Sequence, residues 1–142
     1  MRLKYIFLIC TFLLLCSCGN KVITIQTPTQ EIPVTVEYAE TLQEHAVGLM
    51  FRTELAENHG MLFIFTDMEQ RGFWMKNTKI PLDILFIDYN GTIIDIKENF
   101  QPCTTNPCET YFSKPAQYVL EVNAGFVTKN TIKIRDTVES LP

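Results

Sequence analysis

The residues best suited to binding chemistry lie between Phe73 and Asp83. This stretch holds the only Trp of the chain, followed by two lysines, an amide, a hydroxyl, a proline and an acid. Side chains alternate along a strand, so Trp74 and Lys76 would share one face, opposite the apolar residues beside them. A flat aromatic ring next to hydrogen-bonding groups is a common way to hold a sugar or a peptide. We therefore expect a ligand-binding surface made by Trp74, Lys76, Asn77 and Thr78.

An alternative leaves this stretch without a ligand. Trp74 would then pack into the interior with its indole N–H bonded to a carbonyl, and Lys76 would pair with Asp83. The two interpretations differ in the exposure of the indole. In the binding interpretation, the neighbouring or supporting residues are Arg52, Asp83 and Glu121.

Asp83 and Glu121 are acids at the edges of apolar strands. Two carboxylates can hydrolyse a glycosidic bond when they lie about 5–10 Å apart across a cleft. In the structural alternative each acid caps a turn or pairs with a cation, for which Arg52 and Lys76 are available. A hydrolase of envelope glycans is the enzymatic hypothesis. We favour a binding module without catalytic residues, because the sequence has no nucleophile elbow, P-loop, His-Glu-x-x-His motif or dinucleotide fingerprint.

Methionine and histidine side chains suggest a third hypothesis, the handling of Cu(I). Thioethers and imidazoles are suitable ligands for this soft ion. The alternative is that the methionines fill the core and the histidines serve the fold. We predict no resident metal and no other cofactor. The residues concerned are Met50, Met61, Met68, Met75, His45 and His59.

The first seventeen residues have the pattern of a secretory signal peptide. Arg2 and Lys4 precede an apolar run, and the small residue Ser17 precedes Cys18. The Leu-Cys-Ser-Cys sequence ending at Cys18 also resembles the bacterial lipobox, whose last cysteine is acylated and becomes the new N-terminus. An uncleaved membrane anchor is the alternative. We expect lipidation of Cys18 at the periplasmic face of the cell envelope. Gly19 replaces the Asp associated with inner-membrane retention, which favours the outer membrane.

The net charge of the chain limits the classes of partner that it can bind. Without residues 1–17 the chain keeps 125 of its 142 residues and loses two of twelve basic residues but no acid, which gives a net charge of −6. An acidic domain without a Lys/Arg stripe binds nucleic acid poorly. We expect the membrane, through the lipid, and a glycan, peptide or envelope protein as partners.

Cys103 and Cys108 should form a disulfide in the periplasm, since Cys-x4-Cys lacks the spacing of thiol oxidoreductases.

One helix is predicted near the start of the domain. Thr41 and Glu44 have the Thr-x-x-Glu spacing of a capping box. The apolar residues behind them recur at helical spacing, which predicts a helix over residues 41–51. Gly48 interrupts this pattern and indicates close packing or an early end. The predicted buried face consists of Leu42, Ala46, Leu49 and Met50.

The rest of the chain has the pattern of strands and turns. Residues 66–70 are predicted to form a turn or helical loop, residues 99–114 a long polar loop and residues 126–130 a single helical turn. Asn90-Gly91 predicts a hairpin with a type I′ turn. We expect a mostly β, mostly antiparallel sandwich or small barrel with one short N-terminal helix. The predicted strands are residues 22–25, 34–38, 61–65, 73–76, 83–89, 92–97, 117–123 and 132–135.

Several motifs follow one another along the chain. They are Gly48-Leu49-Met50, Arg52, Gly60-Met61-Leu62-Phe63, Phe73 to Thr78, Ile80-Pro81-Leu82-Asp83, Asn90-Gly91, Pro102 with Cys108, and Leu120-Glu121-Val122 with Gly125. Their order resembles the family called domain of unknown function 192 (DUF192). The resemblance covers residues 34–139, after a signal peptide at 1–17 and a tether with a first strand at 18–33. It implies a compact, jelly-roll-like β fold and little about function, because the family is uncharacterised. Family members often carry Gly-Asp near the closing strand, where this chain has Arg135-Asp136.

Overall fold

The computed structural model describes residues 21–142 of the protein. The predicted signal peptide at residues 1–17 and the predicted lipidation site Cys18 lie outside this range. Within residues 21–142, no helix combines the length and the apolar character needed to cross a bilayer.

Seven strands and two short helices make up the described part of the chain. The helices are α1 (Leu42–Val47) and α2 (Phe126–Lys129). The strands are β1 (Lys21–Gln26), β2 (Glu31–Ala39), β3 (His59–Trp74), β4 (Leu82–Ile87), β5 (Ile93–Phe100), β6 (Thr110–Asn123) and β7 (Thr137–Glu139).

All seven strands belong to one curled sheet with the order β5-β4-β6-β3-β2-β1-β7, which forms a half-barrel. Neighbouring strands are antiparallel except β2 and β3, which run parallel. Parallel neighbours require a crossover connection, and residues 40–58, which include α1, provide it. The predicted mostly β class is confirmed. A jelly-roll-like sandwich is not confirmed, because the strands form a single sheet.

Strand β3 corrects the prediction of two strands separated by a turn. It continues through residues 66–70, with irregular pairing to β6 between Ile64 and Glu69 and again between Gln70 and Gly72. Residues 67–70 are exposed, although Glu69 and Gln70 pair with Ala116 and Pro115 of β6, so this segment carries no apolar alternation. For the same reason β6 begins at Thr110, inside the predicted polar loop: its first half pairs with the exposed half of β3.

The closing strand also lies later than predicted. Residues 132–135 form a turn, and the strand is β7, which pairs with β1. Just before it, Arg135 has a φ of +84°, at the position where family members often carry Gly. The Val138 N–H then donates to the Gly91 carbonyl at 2.7 Å, and the Ile93 N–H donates to the Asp136 carbonyl at 2.9 Å. These bonds bring the two edges of the sheet together and close the curl at one end.

The β4–β5 hairpin is confirmed, but its turn is not type I′. A type I′ turn needs positive φ at both central residues, and here Gly91 has a φ of +81° whereas Asn90 is not in that region. Asp88 accounts for the difference. Its Oδ1 accepts hydrogen bonds from the N–H groups of Asn90 and Thr92, both at 2.9 Å. This side chain therefore closes a longer turn with Gly91 as its left-handed residue.

Helix α1 is shorter than predicted, and of its predicted buried face only Leu49 is buried. The capping box is present: Thr41 Oγ1 accepts from the Glu44 N–H at 3.2 Å, and Glu44 Oε2 accepts from the Thr41 N–H at 2.9 Å. The helix nevertheless ends at Gly48, whose φ is +48°, and it buries none of its own residues. Leu42 is 88% exposed, and the burial begins only with Leu49, after the helix.

Two apolar cores lie on opposite faces of the curled sheet. The first receives side chains from all seven strands and from α2. The second lies under the 48–51 segment and includes Leu49, Phe63 and Ile84. Its partly buried margin includes Cys103, and Cys103 and Cys108 are joined by the predicted disulfide, with Cα atoms 5.7 Å apart. A buried acid lies on each face of the sheet, Asp83 on the side of the first core and Glu121 on the side of the second.

Candidate functional site

Glu121 lies inside the second core. On the sheet it is paired with Met61 of β3 and with Ile84 of β4, and it is 5% exposed. Its Oε2 atom has no hydrogen-bond partner among the described residues. Burial raises the pKa of this carboxyl from 4.5 to about 8, because the charged form loses its hydration without a compensating partner. Glu121 is therefore mostly protonated at neutral pH.

The space in front of this carboxyl is an open pocket of about 430 Å³, which we call the Glu121 pocket. Residues from the α1 segment form one side, residues from both halves of β3 form the other, and Glu121 of β6 forms the floor. Gly48 passes close above the floor: a Cβ there would be 3.0 Å from the Phe63 ring and 3.8 Å from Glu121 Oε2. The side chains that determine the chemistry of the pocket are His45, Phe63, Phe65, Arg71, Phe73 and Trp74.

Aromatic rings make the walls. Phe63 and Phe73 meet edge to face with their centroids 5.1 Å apart. The His45 ring tilts against Phe65 at 4.4 Å, and His45 Nε2 lies 3.0 Å from the Ala39 carbonyl. Phe63 and Phe73 lie ten residues apart on β3, and the pairing of β3 with β6 shifts register twice between them. The walls are thus apolar, while the floor carries a carboxyl group.

Arg71 is the second charged residue of the pocket, and sequence reasoning missed it. Its guanidinium lies 3.9 Å from the centroid of Phe65, and its Nε donates to the Ala116 carbonyl at 3.0 Å. Its Nη2 donates to the Asp67 carbonyl at 2.6 Å and forms an ion pair with the Asp67 carboxylate. The Asp67–Arg71 spacing was the available signal, but it was hidden in a segment predicted to be a turn.

Trp74 lies at the rim of the pocket and is 45% exposed. The predicted alternation holds here, since Phe73 and Met75 belong to the second core while Trp74 points outward. The Lys76 ammonium lies 5.0 Å from the centroid of the Trp74 ring, within the range of a cation–π contact. The indole is therefore not sealed in the interior. Lys76 contacts the Trp74 ring and does not pair with Asp83 as the alternative interpretation expected.

Asn77 and Thr78 support the rim in different ways. Asn77 adopts a φ of +56°, and its carbonyl accepts a hydrogen bond from the Phe51 N–H at 2.8 Å. It thereby holds the 50–51 segment beside the pocket. Thr78 lines the pocket itself, is 8% exposed, and donates to the Lys76 carbonyl at 3.4 Å.

Arg52 and Asp83 lie away from the Glu121 pocket. Arg52 forms an exposed ion pair with Glu37 at 2.6 Å and lines a separate pocket. Asp83 is fully buried, where Oδ1 accepts from the Asn99 N–H at 2.8 Å and Oδ2 from the Val127 N–H at 2.9 Å. It holds the end of β5 and the start of α2 to β4. Asp83 therefore has a structural role, as the alternative interpretation expected, but its partners are backbone N–H groups rather than Arg52 or Lys76.

The two acids do not form a pair across a cleft. Asp83 is opposite Val122 in the β4–β6 register, and Glu121 is opposite Ile84. Adjacent positions on paired strands point to opposite faces of a sheet, so the two carboxyl groups diverge. The arrangement required for a two-carboxylate glycosidase is therefore not made by these residues.

Of the residues considered for Cu(I), only His45 and Met50 line the same pocket. His45 lines the Glu121 pocket, whereas His59 lines the pocket of Arg52. Met75 is 1% exposed and packs in the second core. Among residues 21–142, no three His, Cys, Asp or Glu side chains converge in a way that could hold a metal ion.

Comparisons with known proteins agree with the fold. The family model of DUF192, described as an uncharacterised ACR, matches residues 23–140. A crystal structure from Sinorhizobium meliloti 1021, described as a "putative transcription regulator", is 38% identical over 83% of this chain and 91% of that chain, with a TM-score of 0.78. A protein of unknown function from Novosphingobium aromaticivorans DSM 12444 is 35% identical over 83% of each chain, with a TM-score of 0.78. A comparison with curated protein sequences finds no match.

Proposed function

The chain belongs to the DUF192 family, and we propose that it is a binding module of the bacterial cell envelope that holds its ligand in the Glu121 pocket without breaking bonds. One observation carries the proposal: the buried Glu121 carboxyl has an Oε2 without a partner at the floor of an open pocket. A buried polar group without a hydrogen bond costs about 1–3 kcal/mol. Such a cost is expected at a site where an incoming ligand supplies the missing bond.

The rim of the pocket supports binding to a larger partner or ligand. Trp74, at the rim, is a large apolar side chain that is 45% exposed. Phe51 follows the pocket residue Met50, lines the neighbouring pocket of Arg52 and is 63% exposed. Phe51 also adopts a φ of +65°, which is costly for a bulky residue and is maintained by the hydrogen bond from its N–H to Asn77. Aromatic side chains around a concave site are typical of ligand and protein contacts. The ligand is a small molecule, or a single group that projects from a glycan, a peptide or a partner protein.

The cellular location rests on the N-terminal sequence. The signal-peptide pattern and the lipobox-like Cys18 support an acylated protein on the periplasmic side of the envelope, with the outer membrane favoured by Gly19. Only two residues separate Cys18 from Lys21, where β1 begins. Three residue steps span at most about 10 Å, so an acylated Cys18 would hold the sheet next to the lipid headgroups.

A regulatory role at DNA is not part of the proposal. The description of the Sinorhizobium meliloti relative suggests such a role for that protein, but binding to DNA depends mainly on Lys and Arg contacts with phosphate. This chain has a formal net charge of −4. We propose membrane attachment and an envelope ligand instead.

Binding in the pocket can be tested with the fluorescence of Trp74, the only Trp in the chain. The full chain in a non-ionic detergent is titrated with glycan fragments, amino acids, short peptides and amines. We expect at least one of these classes to shift the Trp74 emission and raise the melting temperature. Glu121→Met should remove both responses, whereas Arg52→Gln, in the separate pocket, should keep them. If no class gives a response in the wild-type protein, the pocket is not a binding site.

Two further experiments test the remaining parts of the proposal. Labelling of cells with a radioactive fatty acid should mark the wild-type protein and not Cys18→Ser; equal labelling would contradict acylation at Cys18.

Incubation with fluorescent envelope glycans should leave the polymers intact. Turnover that disappears in Glu121→Gln would overturn the non-enzymatic part of the proposal.

A further inference from the structure

We infer that the Glu121 pocket takes a primary ammonium group at the end of a short apolar chain, the chemistry shared by a lysine side chain and a free alkylamine. This inference rests on the proposed binding function and adds the chemical class of the ligand. It follows from the charges of the pocket, from its walls and from its size.

The charges of the pocket favour a cation. Glu121 is the only acid that lines it, and its Oε2 has no partner within residues 21–142. Among the described residues, Arg71 is the only Lys or Arg in the lining, and its guanidinium is already bonded to Asp67 and to the Ala116 carbonyl. An anionic ligand would find no free cation and would face a carboxyl group. An ammonium would provide Glu121 with both a counter-charge and a hydrogen-bond donor.

The aromatic walls of the pocket suit an ammonium group and the methylene chain that carries it. Arg71 and His45 already cover Phe65, which leaves Phe63, Phe73 and the Trp74 rim for a ligand. Aromatic faces attract cations, and apolar rings also pack against methylene groups. The chain itself shows this attraction at the rim, where the Lys76 ammonium lies 5.0 Å from the Trp74 centroid.

The size of the pocket and its ligand atoms exclude two other occupants. A volume of about 430 Å³ lies near the lower end of the roughly 300–1,000 Å³ found for ligand pockets, which suits a small group rather than an oligosaccharide. A hard divalent cation prefers six or more oxygen ligands or several carboxylates. The single carboxyl of Glu121 does not meet that need, and no cluster of three ligating side chains occurs in the described chain.

The inference predicts how binding depends on pH. Burial raises the pKa of Glu121 to about 8, so an ammonium ligand has to displace its proton into solvent below that pH. The other titratable groups that line the pocket are His45 on α1 and Arg71 on β3, and the β4 neighbour Ile84 is apolar. Affinity should therefore rise about tenfold per pH unit up to about pH 8. It should then stay level until the amine itself loses its proton.

The experiment compares charged and uncharged probes on the full chain in a non-ionic detergent. The probes are n-butylammonium, Nα-acetyl-lysine methylamide, n-butanol and the Nε-acetylated form of the lysine compound, measured by calorimetry and by Trp74 fluorescence. We expect both ammonium probes to bind at least tenfold more tightly than their uncharged counterparts at pH 8. Their affinity should fall about tenfold from pH 7 to pH 6. Tighter binding of the lysine compound supports a peptide partner, and tighter binding of n-butylammonium supports a free amine.

Variants separate this inference from the proposed function. Glu121→Gln keeps the shape of the side chain and should lose both the charge preference and the pH dependence. Glu37→Gln, which removes an acid outside the pocket, should keep both. Equal affinity for n-butanol and n-butylammonium, or an affinity that does not change below pH 8, would overturn the ammonium inference and leave the binding function in place. A complete lack of response to these probes and to the panel above would overturn both.

Discussion

Two buried acids of this protein illustrate how surroundings decide the role of a residue. Asp83 accepts two backbone N–H bonds and serves as a structural clamp between β4, β5 and α2. Glu121 is almost as deeply buried, but its Oε2 accepts none. The sequence places both acids in similar apolar strands. Their roles differ because neighbouring elements offer backbone N–H groups to Asp83 and none to Glu121 Oε2, which makes Asp83 a structural residue and Glu121 a candidate ligand contact.

The first prediction concerns Glu121 and pH. Its folded pKa of about 8 lies above the unfolded value of 4.5, so the folded state holds an extra proton between these values. The stability due to this group is complete below about pH 4.5 and is lost as pH rises towards 8. The free energy of unfolding should fall by roughly 1 kcal/mol per pH unit in this window. Urea unfolding of wild type and Glu121→Gln at pH 5, 6.5 and 8 measures it.

The comparison between the two proteins isolates Glu121 from other groups. Glu44 acts in the opposite direction, because hydrogen bonds from the backbone N–H groups of Glu40 and Thr41 lower its pKa. Its stabilisation is present above its unfolded pKa and is lost on acidification in both proteins. Glu121→Gln should therefore gain stability relative to wild type as pH rises. Parallel pH profiles would show that Glu121 is not protonated in the folded protein.

At the scale of elements, α1 is unusual because it depends on its cap rather than on packing. None of its residues is buried, so the Thr41–Glu44 capping box is its main local support. Its position matters for the site, since His45 and the Gly48 end of the helix form one side of the Glu121 pocket.

The second prediction follows from this dependence. Thr41→Ala removes the acceptor for the Glu44 N–H and should destabilise the helix by about 1 kcal/mol. Amide hydrogen exchange of residues 42–47 should become faster, while the exchange of β6 should change little. Gln43→Ala is the matched control, because Gln43 is exposed on the same helix and makes no capping bond. Unchanged exchange in Thr41→Ala would mean that tertiary contacts hold this segment.

The third prediction concerns the turn before β7. Arg135 is exposed and holds a φ of +84°, a region where a Cβ costs about 1–2 kcal/mol. Arg135→Gly removes this cost while keeping the 2.8 Å bond from its N–H to the Ile93 carbonyl, so the free energy of unfolding should rise by about 1 kcal/mol. Urea unfolding measures the change. Arg135→Ala keeps the Cβ and should give no gain, and equal stabilisation by both variants would contradict backbone strain as the cause.

At the scale of the whole molecule, one sheet supports two cores that serve different purposes. The first core joins all strands with α2. The second is open at the Glu121 pocket and continues to the Cys103–Cys108 loop, where the Cys103 N–H donates to the Met75 carbonyl at 3.2 Å. The disulfide loop therefore braces the strand-end region that follows Trp74.

The fourth prediction tests this brace. The double variant Cys103→Ser/Cys108→Ser should lower the free energy of unfolding by about 2 kcal/mol, because the bridge closes a short loop in the unfolded chain. The fold should remain, since neither cysteine belongs to the buried residues of the two cores and only Cys103 packs at the margin of the second. Urea unfolding with and without a reductant measures the effect in wild type, and the variant, which has no bridge, should not respond to the reductant. Equal stability of the two proteins would show that the bridge contributes nothing.

Local patterns in the sequence were enough to predict many elements of the fold. The Thr41–Glu44 cap, the β4–β5 hairpin, the alternation along β6 and the Cys103–Cys108 bridge all depend on residues close together in the chain. The mostly β class and the outward direction of Trp74 depend on the same alternation. Each of these features is set by interactions within a few residues, so its signal is present in the sequence.

Tertiary structure alone decided the rest. Glu69 and Gln70 pair with Ala116 and Pro115, and residues 110–112 pair with residues 72–74, so distant partners extend both strands. The parallel β2–β3 neighbours came from a crossover that no short pattern encodes. The Glu121 pocket likewise joins α1, β3 and β6, so the sequence indicated Glu121 only as a supporting residue, without its missing partner, and did not indicate Arg71. Burial and hydrogen-bond satisfaction depend on distant parts of the chain, whereas caps, turns and alternation depend on near ones.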